Sequence, residues 1–314
     1  MVSSSLVYHA RNADSPELHS RTQEGRPKVL VIAAIVATVL LWASAFPAIR
    51  VSLTAYTPGE VAFLRYLVAS AILVGYALVS RMPMPRLRDT PFISLCGFIG
   101  FALYNFMLNA GQVTVSAGMA SFIIASEVGV IALLAWLFFG ERLGKVGWVG
   151  IALCLAGVGV ISLSGSSGIQ LSTGVALIFI ATLSISVYSV LQKPLLQRYT
   201  AIQFTTYAIW AGTLFLFFFA PRAVFSTIHA PIAPTLAVIY MGLFPGVVAY
   251  IAWSYVLSKV PASRAGSYLA LIPVAALVIS WLWLREVPTP ISVMGGAVVF
   301  CGVMLVNQRV KLTA

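Results

Sequence analysis

Charge is what this chain has least of. Only 9% of its 314 residues are Asp, Glu, Lys or Arg, whereas a soluble globular domain carries roughly 25%. A water-facing surface of this size cannot be covered with so few charges, so two soluble domains are excluded as the reading of the length. Acidic residues are scarcest, 8 against 19 basic. The basic residues lie between apolar runs rather than along one face, and this argues against a nucleic-acid partner. Cysteine is also rare: Cys96, Cys154 and Cys301 sit in separate apolar segments and make no disulfide framework or metal spacing. His9, His19 and His229 all fall outside the apolar runs, leaving no histidine metal site within a membrane. There is no HExxH, GxSxG or Walker loop, and Gly157 and Gly159 lie mid-run with no strand before them. No catalytic residue, metal or cofactor is therefore expected. The first 28 residues contain no apolar h-region, so they read as a polar cytoplasmic arm and not as a signal peptide.

What the chain does have is apolar length. Sixty per cent of it is hydrophobic, with a mean hydropathy of +0.98. Breaks of Pro, Gly and charge divide it into ten runs near 29–49, 59–80, 92–112, 117–139, 146–164, 173–192, 202–220, 235–257, 264–284 and 291–308. Each approaches the ~20 residues that cross a hydrocarbon core about 30 Å thick. In lipid every backbone amide must be satisfied within its segment, so the runs are expected to be helices. Short alternating strands of a membrane β-barrel are not present.

Loop charge sets the expected orientation. With the N-terminus inside, fifteen of the nineteen Lys and Arg fall on the cytoplasmic side, three (Arg50, Arg222 and Arg285) fall outside, and Arg65 lies within the second run. Such asymmetry follows the positive-inside rule and places both termini in the cytoplasm.

The chain also repeats. A shift of 145 residues brings Trp136 onto Trp281, Leu137 onto Leu282 and Glu141 onto Glu286. The same register pairs Gly97 with Gly242, Ala125 with Ala270, Gly150 with Gly295 and Gly157 with Gly302. Five helices per half is an odd number, so the second half must enter the membrane from the opposite side. The expected fold is all-α integral membrane, ten transmembrane helices as a 5+5 inverted repeat. Its halves cover 29–165 and 172–310, after the arm at 1–28. Inverted repeats recur in secondary transporters, with the substrate site between the repeats near the midplane.

Several segments carry a family resemblance. They are LWASAFPAIR at 41–50, TPGEVAFLR at 57–65, the paired Glu-after-Trp motifs at 136–141 and 281–286, and SRAGSYLALIPVAAL at 263–277. In these the chain resembles the EamA family of the drug/metabolite transporter superfamily, over essentially all of 29–310. The resemblance implies the five-plus-five inverted repeat and the export of metabolites or amino-acid-like compounds. One departure stands out. The second half has Pro273, whereas the matching position of the first half is Val128, beside Glu127.

Glu127 is the leading site candidate, since an ionisable group halfway along a membrane helix faces a cavity or pathway rather than lipid. Proton coupling and binding of a substrate ammonium are its two functional readings; a protonated interhelical hydrogen bond is the structural one. Arg65 could meet a substrate carboxylate, pair with Glu60, or snorkel to the interface. Trp42, Ser44, Tyr104, Asn105, Asn109, Ser184, Ser186, Tyr188, Gln192, Tyr250, Trp253 and Tyr268 are further cavity candidates, with interhelical hydrogen bonding as the competing use. Glu141 and Glu286, at helix ends, suggest a shared structural job. The small residues of helices 4, 5 and 10 read as packing seams. The function expected is a secondary carrier in the inner (plasma) membrane, exporting a small metabolite such as an amino acid, with protons as a candidate coupling ion. A nucleotide-sugar or phosphate-ester carrier, a membrane-embedded enzyme and a non-transporting receptor are the alternatives.

Overall fold

The computed structural model describes residues 16–115, 117–141, 144–163, 173–284 and 290–307. Within these residues the chain is helical, without strands. Ten helical segments follow in order. The first half holds α1 (Pro16–Ser52), α2 (Pro58–Val79), α3 (Thr90–Gln112), α4 (Ala117–Ala125 continuing as Glu127–Phe139) and α5 (Lys145–Leu163). The second holds α6 (Thr173–Leu195), α7 (Ala201–His229), α8 (Ile232–Lys259), α9 (Ala262–Leu269 continuing as Leu271–Leu284) and α10 (Pro290–Asn307). Seven candidate membrane spans are found among the described residues, in α1 to α4 and α6 to α8. α5 and α10 contain shorter apolar helices, Lys145–Gly157 and Val293–Val306.

α1 begins at Pro16, so residues 16–28 of the expected polar arm are helical. Glu17, Leu18, Arg21, Gln23 and Glu24 favour helix, whereas Gly25 and Pro27 in the same stretch resist it. The apolar span itself starts at Val29. Residues 1–15, Arg142, Arg285 and Glu286 lie outside the described residues.

Two pairs of helices are interrupted at corresponding places. α3 widens into a π segment at Phe98–Leu103, and α8 does so at Phe244–Val248. A 145-residue shift carries Leu103 onto Val248. Pro245 accounts for the second, because it has no N–H to donate. The carbonyls loosened there become acceptors: Trp42 Nε1 donates to Pro245 O at 3.2 Å. α4 and α9 break at Ser126 and Ala270 respectively. In α9, Pro273 cannot donate to the turn before it. α4 reaches the same break without proline, through Ser126 Oγ donating to Ile123 O at 2.6 Å, a side-chain bond that competes with the helical ladder.

The halves pack as each other's mirror in sequence. A Cβ on Gly150 would lie 2.8 Å from Gly302 O, and one on Gly157 would lie 2.7 Å from Gly295 O. Gly150 corresponds to Gly295 and Gly157 to Gly302, so this is one contact seen from each half, with α5 and α10 antiparallel. The close approach needs the missing side chains. Likewise Gly97 of α3 sits on Ala208 and Ala211 of α7, and Gly242 of α8 sits on Arg65 and Val68 of α2. These α2 and α7 positions correspond at a shift of 143, a two-residue slip in the connecting loops. α2 and α7 are themselves antiparallel, with Phe63 against Phe217 and Ser70 hydrogen-bonded to Thr213.

Glu141 ties the halves together at one end. Its carboxylate accepts from Ala262 N and Ser263 N at 3.0 Å each and Ser263 Oγ at 2.8 Å, and it pairs with Lys193 Nζ at 2.5 Å. It therefore caps α9 of the other half, where the first-turn N–H groups have no helical acceptor. Burial pushes its carboxyl up, but Lys193 and the Ser263 donors together outweigh this and hold it below the usual carboxylate range.

Candidate functional site

Between the halves lies a cavity of about 440 Å³, its mouth included. α1 supplies one wall through Trp42, Ala45, Phe46 and Ile49, residues at helical spacing on one face. Tyr104 and Leu108 of α3 and Ile124 of α4 continue it. Ile185 of α6, Tyr250 of α8 and Ile272 of α9 come from the second half. The two charged residues on the wall are Arg65 of α2 and Glu127 of α4. The mix of an apolar wall and a few polar groups is that of small-molecule pockets.

The charged pair is held apart. Arg65 and Glu127 are 3% and 2% exposed, yet no ion pair joins them among the described residues. Arg65 Nη1 donates to Asn105 Oδ1 at 3.0 Å, and its guanidinium carbon lies 5.3 Å from the Tyr66 ring centre. Its Nε is buried without a partner. Leaving such a donor unsatisfied costs about 1–3 kcal/mol, more for a charged group. Glu127 begins the second part of α4, just past the break at Ser126, so the interrupted ladder places its carboxyl at the cavity wall. Pairing of Arg65 with Glu60, one of its three sequence alternatives, does not occur among the described residues. Glu60 instead caps Thr57 N at 2.7 Å, accepts from Ser226 Oγ and meets Arg222 Nε at 3.2 Å.

An aromatic cluster backs the cavity. Trp42 stands edge-on to Tyr250 at 5.1 Å and lies 5.8 Å from Trp253. Phe101 joins Tyr250 at 4.6 Å, Tyr188 at 5.2 Å and Tyr66 at 5.2 Å. Behind these rings, toward the end held by Glu141, Ser254 Oγ donates to Gln192 Oε1 at 2.9 Å and bonds Thr205 at 2.9 Å.

Of the fourteen sequence candidates, the fold brings Trp42, Arg65, Tyr104, Glu127 and Tyr250 to the cavity wall. The others lie behind it or elsewhere. Ser44 bonds Tyr240 at 2.6 Å across the α1–α8 contact, and Asn109 donates to Pro58 O at 3.1 Å at the start of α2. Asn105 is fully buried beside Arg65. Tyr188 and Trp253 belong to the aromatic backing, where Trp253 Nε1 donates to Ser189 Oγ at 3.3 Å. Ser184 is buried on α6, and Tyr268 is partly buried on α9. Sequence reasoning missed the aliphatic wall. The spacing of Phe46 and Ile49 relative to Trp42 was the available signal, but apolar residues in an apolar helix do not reveal which face they serve.

Comparison with known proteins agrees with this architecture. The EamA-like transporter family matches twice, over residues 29–163 and 172–308. The uncharacterized transporter YdfC of Bacillus subtilis is 40% identical over 271 residues, covering 86% of this chain and 89% of its own. The probable terminal-alkyne amino-acid exporter of Streptantibioticus cattleyicolor is 40% identical over 276 residues, covering 88% and 93%. A protein of known crystal structure matches the fold with a TM-score of 0.71 at 18% identity, covering 88% of this chain and 96% of its own. Two family matches in tandem, long apolar helices and a cavity between the halves lead to one conclusion: the chain is a multi-pass integral membrane protein and belongs to the EamA-like transporter family.

Proposed function

We propose that this protein exports small amphipathic metabolites, amino acids foremost, from the cytoplasm across the inner (plasma) membrane by alternating access. In this reading all ten helices cross the bilayer, both termini are cytoplasmic, and the halves 29–165 and 172–310 rock about the central cavity. The observation that carries it is the placement of one cation and one carboxyl, Arg65 and Glu127, unpaired on the wall of an otherwise apolar and aromatic cavity. An amino acid presents the complementary set: a carboxylate, an ammonium and a side chain for the aliphatic wall. The amino-acid exporter among the relatives supports the same class. A sugar-nucleotide or phosphate ester would call for several basic groups, and Arg65 is the one on the wall.

The coupling ion in this reading is the proton, exchanged at Glu127. The test is efflux from proteoliposomes loaded with a panel of amino acids, amines, organic acids and phosphate esters, with and without an imposed pH gradient. Export of apolar zwitterions accelerated by the gradient is expected. Transport of phosphate esters alone, or of no solute in the panel, would overturn it.

A further inference from the structure

Asn105 has both amide hydrogens and one oxygen lone pair committed within the protein. Its Oδ1 accepts from Arg65 Nη1 at 3.0 Å, while Nδ2 donates to Tyr66 Oη at 2.7 Å and to Phe101 O at 3.0 Å. It is fully buried. Turning the amide over would set its NH2 group against the guanidinium, so the orientation is fixed by charge as well as by geometry. Arg65 is thereby tethered through Nη1 alone. Nε is buried without a partner, and Nη2 makes no hydrogen bond among the described residues.

Those two nitrogens form the side-on edge of the guanidinium. Their parallel N–H groups match the two oxygens of a carboxylate, a geometry that a lysine cannot reproduce. The face of Arg65 is occupied as well, by Tyr66 at 5.3 Å, and Tyr66 is itself the acceptor that holds Asn105. Tyr66 and Asn105 thus fix the plane and the rotation of one cation in a cavity-lining position.

The geometry points to Asn105 as a positioning residue that presents the free side-on edge of Arg65 to the carboxylate of the cargo, so that the carboxylate is the group the site selects. This deepens, and rests on, the reading of the cavity as an amino-acid site. Glu127 on the opposite charge of the zwitterion contributes affinity, but it would hold a simple amine equally well. Discrimination against amines therefore falls to Arg65.

The test is counterflow in proteoliposomes with leucine, leucine methyl ester and isopentylamine, which share an apolar side chain and an ammonium but differ at the carboxylate. Wild-type protein is expected to prefer leucine over the other two by about tenfold or more, the scale of one lost charged contact. Asn105→Ala should raise the leucine KM by about tenfold with a maximal rate within about twofold, and leave the ester and amine unchanged. Asn105→Asp should weaken leucine further than Asn105→Ala, because the new carboxylate pairs with Arg65 and competes with cargo. Arg65→Lys should bring the leucine-to-amine preference to within about threefold. A merely structural role for Asn105 would lower transport of all three solutes together, whatever the substitution. That pattern overturns the proposal, as does undiminished preference in Arg65→Lys or a wild type that moves the amine as well as leucine. If Asn105→Ala fails to reach the membrane, Asn105→Ser gives the same comparison. Wild-type protein that moves none of the three sinks the amino-acid reading itself; transport of the amine with leucine sinks only the carboxylate selection.

Discussion

Removing the Glu141 carboxylate should loosen the join between the halves by a predictable amount. Four donors converge on it: two backbone N–H groups at the start of α9, Ser263 Oγ and Lys193 Nζ. A hydrogen bond to a charged group contributes about 1.5–3 kcal/mol when well buried. Here the side chains of Lys193 and Glu141 are 22% and 15% exposed, so water satisfies part of what is lost. Lys193 can also swing to solvent. Glu141→Ala should thus cost about 2–4 kcal/mol in total, and Glu141→Gln about 1–2 kcal/mol because the amide oxygen still accepts. At roughly 2–4 °C per kcal/mol for a chain of this size, Glu141→Ala should lower Tm by about 4–16 °C in detergent. Tryptophan fluorescence during a thermal ramp reads this directly. The sign with pH is also fixed. The folded carboxyl is held below its ordinary value of 4.5, so its contribution is complete above that value and is lost as pH falls through the folded one. The gap between wild type and Glu141→Gln should be constant from neutral pH down to about 5 and close below it. A Tm change within about 1 °C for Glu141→Ala, or strict additivity with Lys193→Met in a double-mutant cycle, would refute the reasoning.

Three further outcomes follow from the fold. Glu127→Gln should lower the transport rate by about tenfold or more while changing stability by less than about 0.5 kcal/mol; wild-type rates at matched membrane expression would remove Glu127 from the mechanism. Gly302→Val should destabilise by about 1–3 kcal/mol or prevent assembly, since a Cβ there lies 2.7 Å from the backbone of both Gly150 and Cys154; an unchanged Tm would mean that α5 and α10 are not in close contact. A fluorescent protein fused after Ala314 should fold and fluoresce, whereas a phosphatase fused there should be inactive, as the proposed cytoplasmic C-terminus requires; the reverse result would invert the proposed topology.

The membrane class, the helical elements and the repeat were legible because each depends on one-dimensional patterns. Apolar length, loop charge and a constant shift do not need a third dimension. The same shift also foretold which glycines matter, since Gly150 and Gly157 corresponded to Gly295 and Gly302 before their contact was known. Glu127 was visible for a related reason: a carboxyl in the middle of an apolar run is costly unless it faces a cavity.

What the sequence could not decide was direction around each helix. In a soluble helix polarity marks the outer face, but here both lipid and core are apolar, so Phe46 and Ile49 resemble the lipid-facing residues beside them. Only the packing of α1 against its neighbours turned them to the cavity. Nor could spacing separate Asn105, which holds Arg65, from Tyr104 next to it, which lines the wall. Glu141 was readable as a helix-end carboxylate, yet its partners lie 52 and 121 residues away in the other half. Sequence alone determined that two related five-helix halves would be built from lipid-compatible helices. Tertiary structure decided which polar groups bond to each other and which stand without an ion-pair partner on the cavity wall, because that division depends on distances between helices that the chain order does not contain.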